Sequence, residues 1–286
     1  SGPLTWAVAV MGTSGHAMVL PHGRPSAGGH MVVRARSYKA CGKAALVAPS
    51  PRIAHYPGVT HIGLLQRILA VYRSIVNPIA VSGFNGIFLV ATNPVDIMSH
   101  IVCALSGFNP RRVLGNGTAL DTARRRYLVG DFFGVDTRNV HAYVMGEHGD
   151  SEFVPWSQAM IATKPVLNIC QEHGNEDCRI ALARIEEEVR TAAEKIIEAK
   201  KATYYGIGMA MVRITRAIFG NESSVLTVSN MMRGDYGESG VYVGAPCIVN
   251  RNGVQRVLAL DLTEEEKDKF HKSCDMLRET YAGLKL

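Results

Sequence analysis

The stretch from Gly86 to Phe133 narrows the fold more than any other, because short continuous apolar runs alternate there with helical periodicities. "GIFLVA", residues 86–91, shows no in–out alternation, as a strand covered on both faces requires, and Pro94 in the following "TNPVD" suits its end. "IMSHIVCAL" then reads as a helix, "RRVLG" as a short strand, "LDTARRRYLVGDFF" as a helix and "NVHAYVMG" as another strand. Such alternation predicts the α/β class, a Rossmann-like parallel sheet domain followed by a mixed α+β domain. Upstream, "LLQRILAVYRSIV" carries apolar residues at helical spacing from Leu64. Residues 1–55 offer only short apolar runs such as "WAVAV" and "MVV", which read as weak strands.

Beyond Pro165 the spacing of Leu182, Ile185, Val189, Ala192 and Ile196 predicts one long helical tract that continues to Phe219, loosened near Gly206 and Gly208. "GVYVGAPCIVNRNGVQRVLALDL" predicts two strands about an Asn252–Gly253 turn. Thr263 with Glu266 three residues on is a capping box that opens a terminal helix.

The chain has 286 residues, 47% hydrophobic, enough for one large domain or two sharing an interface. No apolar run approaches the roughly 18 residues of a membrane span. No window reads as a secretory signal. A soluble, cytoplasmic protein without membrane partners is predicted. Cys41, Cys103, Cys170, Cys178, Cys247 and Cys274 are scattered without C-x-x-C or zinc spacing, which predicts reduced thiols and no metal. The net charge of +6 belongs to the N-terminal third, since the first acid is Asp96 and eight Lys or Arg precede it. Those cations are spread thinly and lack interleaved aromatics, so nucleic acid is not an expected partner.

In "VMGEHGDSEFVPWS", His148 stands between Gly146 and Gly149 after a predicted strand, where open α/β sheets place their ligand crevice. A histidine near neutral pKa exchanges protons at working pH, and a carboxylate on its other nitrogen fixes the tautomer. Asp121, at the start of its own helix, is the candidate carboxylate. Each residue also has a plainer reading: a lone histidine in a glycine-rich loop is usually solvated, an H-x-D pair is occasionally a metal site, and Asp121 is more often a helix cap. Arg124, Arg125 and Arg126 read as a solvated face, although an arginine in a first helical turn is poorly placed for the dipole and suits an anion. Asn93 alone is a turn residue.

Taken in order, "SGFNGIFLVATNPVDI", "GTALDTARRR", "NVHAYVMGEHGDSEF", "KATYYGIGMAMVRITRAI", "VLTVS" and "VYVGAPCIVNRNG" resemble the bacterial-type L-lactate dehydrogenases of the lactate/malate dehydrogenase family, from about Tyr56 to the C-terminus. The resemblance implies a dinucleotide-binding domain over 1–115, aberrant before about 56, and a substrate domain over 116–286. It implies NAD as cofactor and pyruvate or lactate as substrate, with His148 as acid/base and Asp121 orienting it. Arg124 would clamp the substrate carboxylate, with Asn93 and Thr203 beside the substrate. Ala91, Thr92, Asn93, Ser74, Asn116 and Ile207 would face the cofactor. Arg126 and His141 match a pair that binds fructose 1,6-bisphosphate as allosteric activator in a homotetramer.

Departures from the family pattern cluster where acids are missing. Gly12 and Gly15 in "AVAVMGTSGHAMV" stand without the middle glycine of G-x-G-x-x-G, and no acid follows before Asp96 to take the ribose hydroxyls. His61 occupies the place of the arginine that polarises the carbonyl, a loss on the scale of an oxyanion donor, about 3 to 4 kcal/mol. His55 occupies the place that separates lactate from malate enzymes, and Asn116 stands where the family usually has serine. Three readings follow: an L-lactate dehydrogenase, a catalytically impaired or non-enzymatic relative acting as an oligomer subunit, and a malate dehydrogenase. The N-terminal third is either a segment out of frame with the rest or a true sequence that has lost the cofactor cradle.

Overall fold

The run predicted as a strand covered on both faces is buried at every position from Ile87 to Val90, and it lies inside a nine-stranded sheet. The structure is a computed structural model that describes residues 7–11, 17–21, 33–35, 46–49, 61–172, 175–200 and 205–284. In chain order the N-terminal elements are β1 (Ala7–Met11), β2 (Ala17–Pro21), β3 (Val33–Ala35), β4 (Leu46–Pro49), α1 (His61–Val81), β5 (Ile87–Val90), α2 (Val95–Ser106), β6 (Val113–Gly115) and α3 (Ala119–Phe133). There follow β7 (Val140–His141), β8 (Met160–Ile161), β9 (Lys164–Pro165), α4 (Val166–Glu172), α5 (Asn175–Lys200), α6 (Tyr205–Gly220), β10 (Ser224–Arg233), β11 (Ser239–Asn250), β12 (Gly253–Val257) and α7 (Glu264–Ala282).

The sheet order is β12-β11-β10-β6-β5-β4-β1-β2-β3. Its centre, β1, β4, β5 and β6, is parallel, and the two ends are antiparallel. α1 closes one part of the core with Leu65, Ile68, Leu69, Tyr72, Val76 and Ile79, a three-four stripe that is buried throughout. A second apolar cluster, with Val129, Val140, Ala159, Val166, Leu182 and Ile185, joins α3 to α4 and α5. The capping box at α7 forms as predicted, with Thr263 Oγ1 accepting the Glu266 N–H at 3.3 Å and Glu266 Oε2 accepting the Thr263 N–H at 3.0 Å. The β11–β12 hairpin turns at Asn252–Gly253, where Gly253 has φ +90°. Among the described residues no helix is long and apolar enough to cross a membrane.

Three expectations change. The tract predicted as one helix from Pro165 to Phe219 is three, α4, α5 and α6. One straight helix of that length would run about 80 Å at 1.5 Å per residue, far past any core it could cover. "NVHAYVMG" does not enter the parallel sheet: only Val140 and His141 pair, antiparallel to β8, and Met145 and Gly146 make isolated bridges. Finally, Cys170 and Cys178 form a disulfide, Cα–Cα 5.3 Å, because the end of α4 and the start of α5 turn back on each other inside the second apolar cluster. The prediction of reduced thiols is therefore corrected at this pair, while Cys103, Cys247 and Cys274 are free and buried. Cys41 lies outside the described residues.

Candidate active site

β5 and β6 end side by side, and the chain leaves them through Ala91–Asn93 and through Asn116. Asn116 donates its N–H to Val90 O at 2.9 Å, which ties the two exits together. At Gly117, φ is +49° and a Cβ would stand 2.4 Å from the Ser229 nitrogen, so only glycine passes beneath β10 there. α3 starts immediately beyond, with Asp121 buried in its first turn. Asp121 is not the cap, since Thr118 holds that position.

His148 reaches this crevice by a route the sequence did not reveal. Thr118 Oγ1 donates to Val144 O at 2.6 Å, and Val144 N–H donates to Thr122 Oγ1 at 2.9 Å. These threonines lie four residues apart on one face of α3, so the incoming strand is pinned across its first turn. Gly146 and Gly244 then exchange two backbone hydrogen bonds of 3.0 Å, with Gly146 at φ +98°. Met145 and Phe153 close the loop with a pair of 2.9 Å bonds. Within it the Glu147 N–H donates to Ser273 Oγ of α7 at 2.6 Å, and the His148 N–H donates to Asp96 Oδ2 of α2 at 2.9 Å.

So held, His148 Nδ1 lies 2.7 Å from Asp121 Oδ2, and Asp121 Oδ1 lies 3.5 Å from Arg124 Nη1. The imidazole contact is an ion pair rather than a straight hydrogen bond. Burial alone would push the imidazole down, but the Asp121 carboxylate, with Asp96 and Glu152 behind it, outweighs burial and raises it from 6.5 to about 9. Nδ1 faces Asp121, which leaves Nε2 as the nitrogen turned away from the carboxylate. Asp96 is itself pushed up to about 6 by burial, opposed by the nearby Ser229 hydroxyl and by the hydrogen bond from the His148 backbone.

Three consecutive arginines face three directions, which corrects their reading as a solvated face. Arg124 turns to Asp121. Arg125 is fully buried, and Arg126 Nη2 donates to Thr137 O at 3.0 Å. Steps of 100° along a helix produce this separation. Arg126 lines a different cleft, with Tyr143 and Arg213, and His141 is exposed on β7.

The cofactor-side candidates divide. Thr92 Oγ1 and Asn116 Oδ1 are sealed from solvent without hydrogen-bond partners, one at each strand exit. Unused buried acceptors and hydroxyls at a carboxyl-end crevice fit the carboxamide end of a nicotinamide. Asn93, exposed, and Ala91, half-buried, flank them, and the Asn93–Pro94 peptide is cis. Ile207 is half-buried in the first turn of α6. Its neighbour Gly206 packs on Leu120, and a Cβ there would lie 3.8 Å from Arg124 Nη2. Ser74 is on α1 with its hydroxyl donating to Val71 O at 2.7 Å, and His61 opens α1. His55 and Thr203 lie outside the described residues, as do Gly12 and Gly15. The strand after that glycine pair is β2, antiparallel to β1, where a dinucleotide cradle has a helix.

Sequence reasoning missed Asp96, Thr118, Thr122, Ser273 and Glu152. Only Asp96 carried a signal, an acid in the first turn of an otherwise apolar helix.

The pattern of a lactate/malate dehydrogenase NAD-binding domain matches residues 6–115, and that of the lactate/malate dehydrogenase α/β C-terminal domain matches residues 118–284. "L-lactate dehydrogenase 2" of a Bacillus cereus strain is 46% identical over 273 residues, 94% of this chain and 86% of that protein. "L-lactate dehydrogenase" of Geobacillus stearothermophilus is 45% identical over 268 residues, 94% and 84%. Among solved structures, the minor L-lactate dehydrogenase of Enterococcus mundtii in ligand-bound form superposes with TM-score 0.84 at 40% identity, covering 90% of this chain and 82% of that one. A lactate dehydrogenase from a Medee basin deep-sea metagenome library gives TM-score 0.84 at 43% identity, with the same coverage. The similarity extends upstream of Tyr56, where the motif resemblance stops.

Proposed function

The chain belongs to the lactate/malate dehydrogenase family, and from that premise we propose that it is an NAD-dependent L-lactate dehydrogenase that interconverts pyruvate and lactate. The observation that carries this reading is the 2.7 Å contact of His148 with Asp121, with Arg124 on the same carboxylate. Such a site takes a 2-oxo acid by its two ends. Arg124 leaves Asp121 to fork onto the substrate carboxylate, where its planar donors match two oxygens. His148, protonated, donates from Nε2 to the carbonyl oxygen, and Asp121 stabilises the imidazolium beforehand and holds the ring's orientation afterwards. Asp96 fixes the backbone of His148, and the Asp121 contact at Nδ1 orients its ring. Thr92, Asn93 and Asn116 would hold a nicotinamide, which would supply the hydride when bound. Ala91, Ser74 and Ile207 are proposed on the cofactor side, Thr203 beside the substrate, His61 at the carbonyl and His55 at the position that selects between lactate and malate.

We place the cofactor domain at 1–115 and the substrate domain at 116–286. The cleft of about 300 Å³ that contains Arg126, Tyr143 and Arg213 supports an anionic effector such as fructose 1,6-bisphosphate, with exposed His141 on an adjoining strand. Tyr205, Met209 and Val212 are exposed on α6, an apolar face that suits a homotetramer. Cytoplasmic operation in fermentation and glycolysis completes the reading.

The test is oxidation of NADH by the full chain, followed at 340 nm, with pyruvate or oxaloacetate and with or without fructose 1,6-bisphosphate. Turnover of pyruvate in preference to oxaloacetate is expected, and abolished by His148→Gln. One observation favours the impaired relative: β2 pairs with β1 where a phosphate-binding helix stands in a dinucleotide cradle. A fluorescence titration with NADH decides between them, since absence of binding leaves only the non-enzymatic subunit.

A further inference from the structure

Behind the His148–Asp121 pair lies a second carboxyl without a task in the scheme above. Glu152 is 7% exposed, and atoms of Asp121, His148 and Glu152 lie within 4.8 Å of one another. Glu152 Oε1 is sealed from solvent with no hydrogen-bond partner. Arg125, fully buried one turn beyond Asp121 on α3, leaves Nε and Nη1 unpartnered while Nη2 donates to Glu186 O at 3.4 Å. A purely structural buried acid and base would satisfy each other's atoms, because unpaired buried charge is expensive. Here Arg125 lies over the Trp156 ring, 5.9 Å from its centroid, and Glu152 keeps an unpaired oxygen next to the His148–Asp121 pair.

We propose that Glu152 is a third titrating member of the acid/base station, a positioning residue whose charge decides how tightly His148 holds its proton. The inference rests on the reading of His148 as proton donor. Groups face Glu152 from four directions. α3 brings Asp121, which repels its charge, and Arg125, which attracts it; the loop brings His148; α5 brings Arg190. Glu186 of α5, engaged by Trp156 Nε1 at 3.1 Å, and Lys269 and Lys272 of α7 complete the wall of the cleft of about 420 Å³ that Glu152 lines. That cleft gives the carboxyl a route to solvent other than the substrate side.

Burial raises Glu152 to about 8, with Asp121 adding to the rise and His148, Arg125 and Arg190 opposing it. His148 stands at about 9. Burial thus favours the uncharged Glu152 carboxyl beside the imidazolium. The two groups titrate as a coupled pair, so a charge on Glu152 holds the proton on His148 and an imidazolium on His148 favours the Glu152 charge. The pH range over which His148 donates a proton is thereby extended upward.

The experiment titrates the full-length protein labelled with 13C-histidine, the His148 resonance being assigned by its absence in His148→Gln. In Glu152→Gln the His148 midpoint should fall by roughly one pH unit, and in Glu152→Asp, which keeps the charge, it should return most of the way. The alkaline limb of kcat/KM for pyruvate reduction should move with it. An unshifted His148 midpoint in Glu152→Gln, or an equal shift in both variants, overturns the proposal. The unaltered protein provides a control independent of folding of the variants: one glutamate 13C-carboxyl should titrate near pH 8, and all glutamates titrating below pH 6 also overturns it. Absence of turnover would count against the dehydrogenase reading alone, because the histidine titration needs none.

Discussion

Replacing Asp121 by asparagine should turn a nearly pH-independent proton donor into a strongly pH-dependent one. The carboxylate sits 2.7 Å from His148 Nδ1 and is the largest upward influence on an imidazole that rises from 6.5 to about 9 against burial. At 1.36 kcal/mol per unit, that net rise is worth roughly 3 kcal/mol, with Asp121 the largest contributor to it. Without it, burial pulls the imidazole down against Asp96 and Glu152 alone, and the ordinary 6.5 serves as the reference value for the variant. At pH 8 an imidazole with pKa about 9 is about 90% protonated and one at about 6.5 only about 3%, a loss of roughly thirtyfold; at pH 6 the ratio is under about twofold. A pH-independent loss from the wrong tautomer adds to both. The assay is kcat/KM for pyruvate reduction by Asp121→Asn and the unaltered enzyme from pH 6 to 8. A deficit that stays flat across that range would refute the argument, because it would mean that Asp121 orients the ring without stabilising its charge.

Four further outcomes follow from the same geometry. Arg124→Lys keeps charge but loses the fork, so KM for pyruvate should rise by roughly tenfold to a hundredfold, read by steady-state kinetics. Thr122→Val strands the buried Val144 N–H and should cost about 1 to 3 kcal/mol in urea unfolding, with a fall in kcat as His148 loosens. Because the folded-state value of His148 lies above its unfolded one, its stabilisation is complete below pH 6.5 and lost as pH climbs through about 9. Melting temperature should therefore decline between those values, and less steeply in His148→Gln. Reducing the Cys170–Cys178 bridge, which closes a loop with sequence separation 8, should cost about 2 to 3 kcal/mol. Thermal melts with and without dithiothreitol, beside a non-reducing peptide map, measure it.

Legibility from sequence tracked how local the determining physics was. β5, α1, the β11–β12 hairpin and the α7 capping box were readable because apolar period, turn glycine and cap act over a few residues. The pairing of His148 with Asp121 was a candidate among the residues and was implied by the resemblance, and the structure sets the two 2.7 Å apart. The hidden residues are those whose partners are distant in the chain: Asp96 to His148, Ser273 to Glu147, and Glu152 to Asp121.

What the sequence determined by itself was the α/β class, the order of most elements and the family, since these rest on local patterning and on motif order. What only the tertiary structure decided was which way side chains with the same name would face. Arg124, Arg125 and Arg126 are consecutive, yet one meets the Asp121 carboxylate, one is buried and one lines another cleft. The strand carrying His148, expected in the parallel sheet, is instead hung across α3 by two threonines and clasped to β11 by a glycine pair. The reason is physical: a hydrogen bond between segments tens of residues apart leaves no period in either one, and burial, which moves His148, Asp96 and Glu152 from their ordinary proton affinities, exists only once the chain has packed.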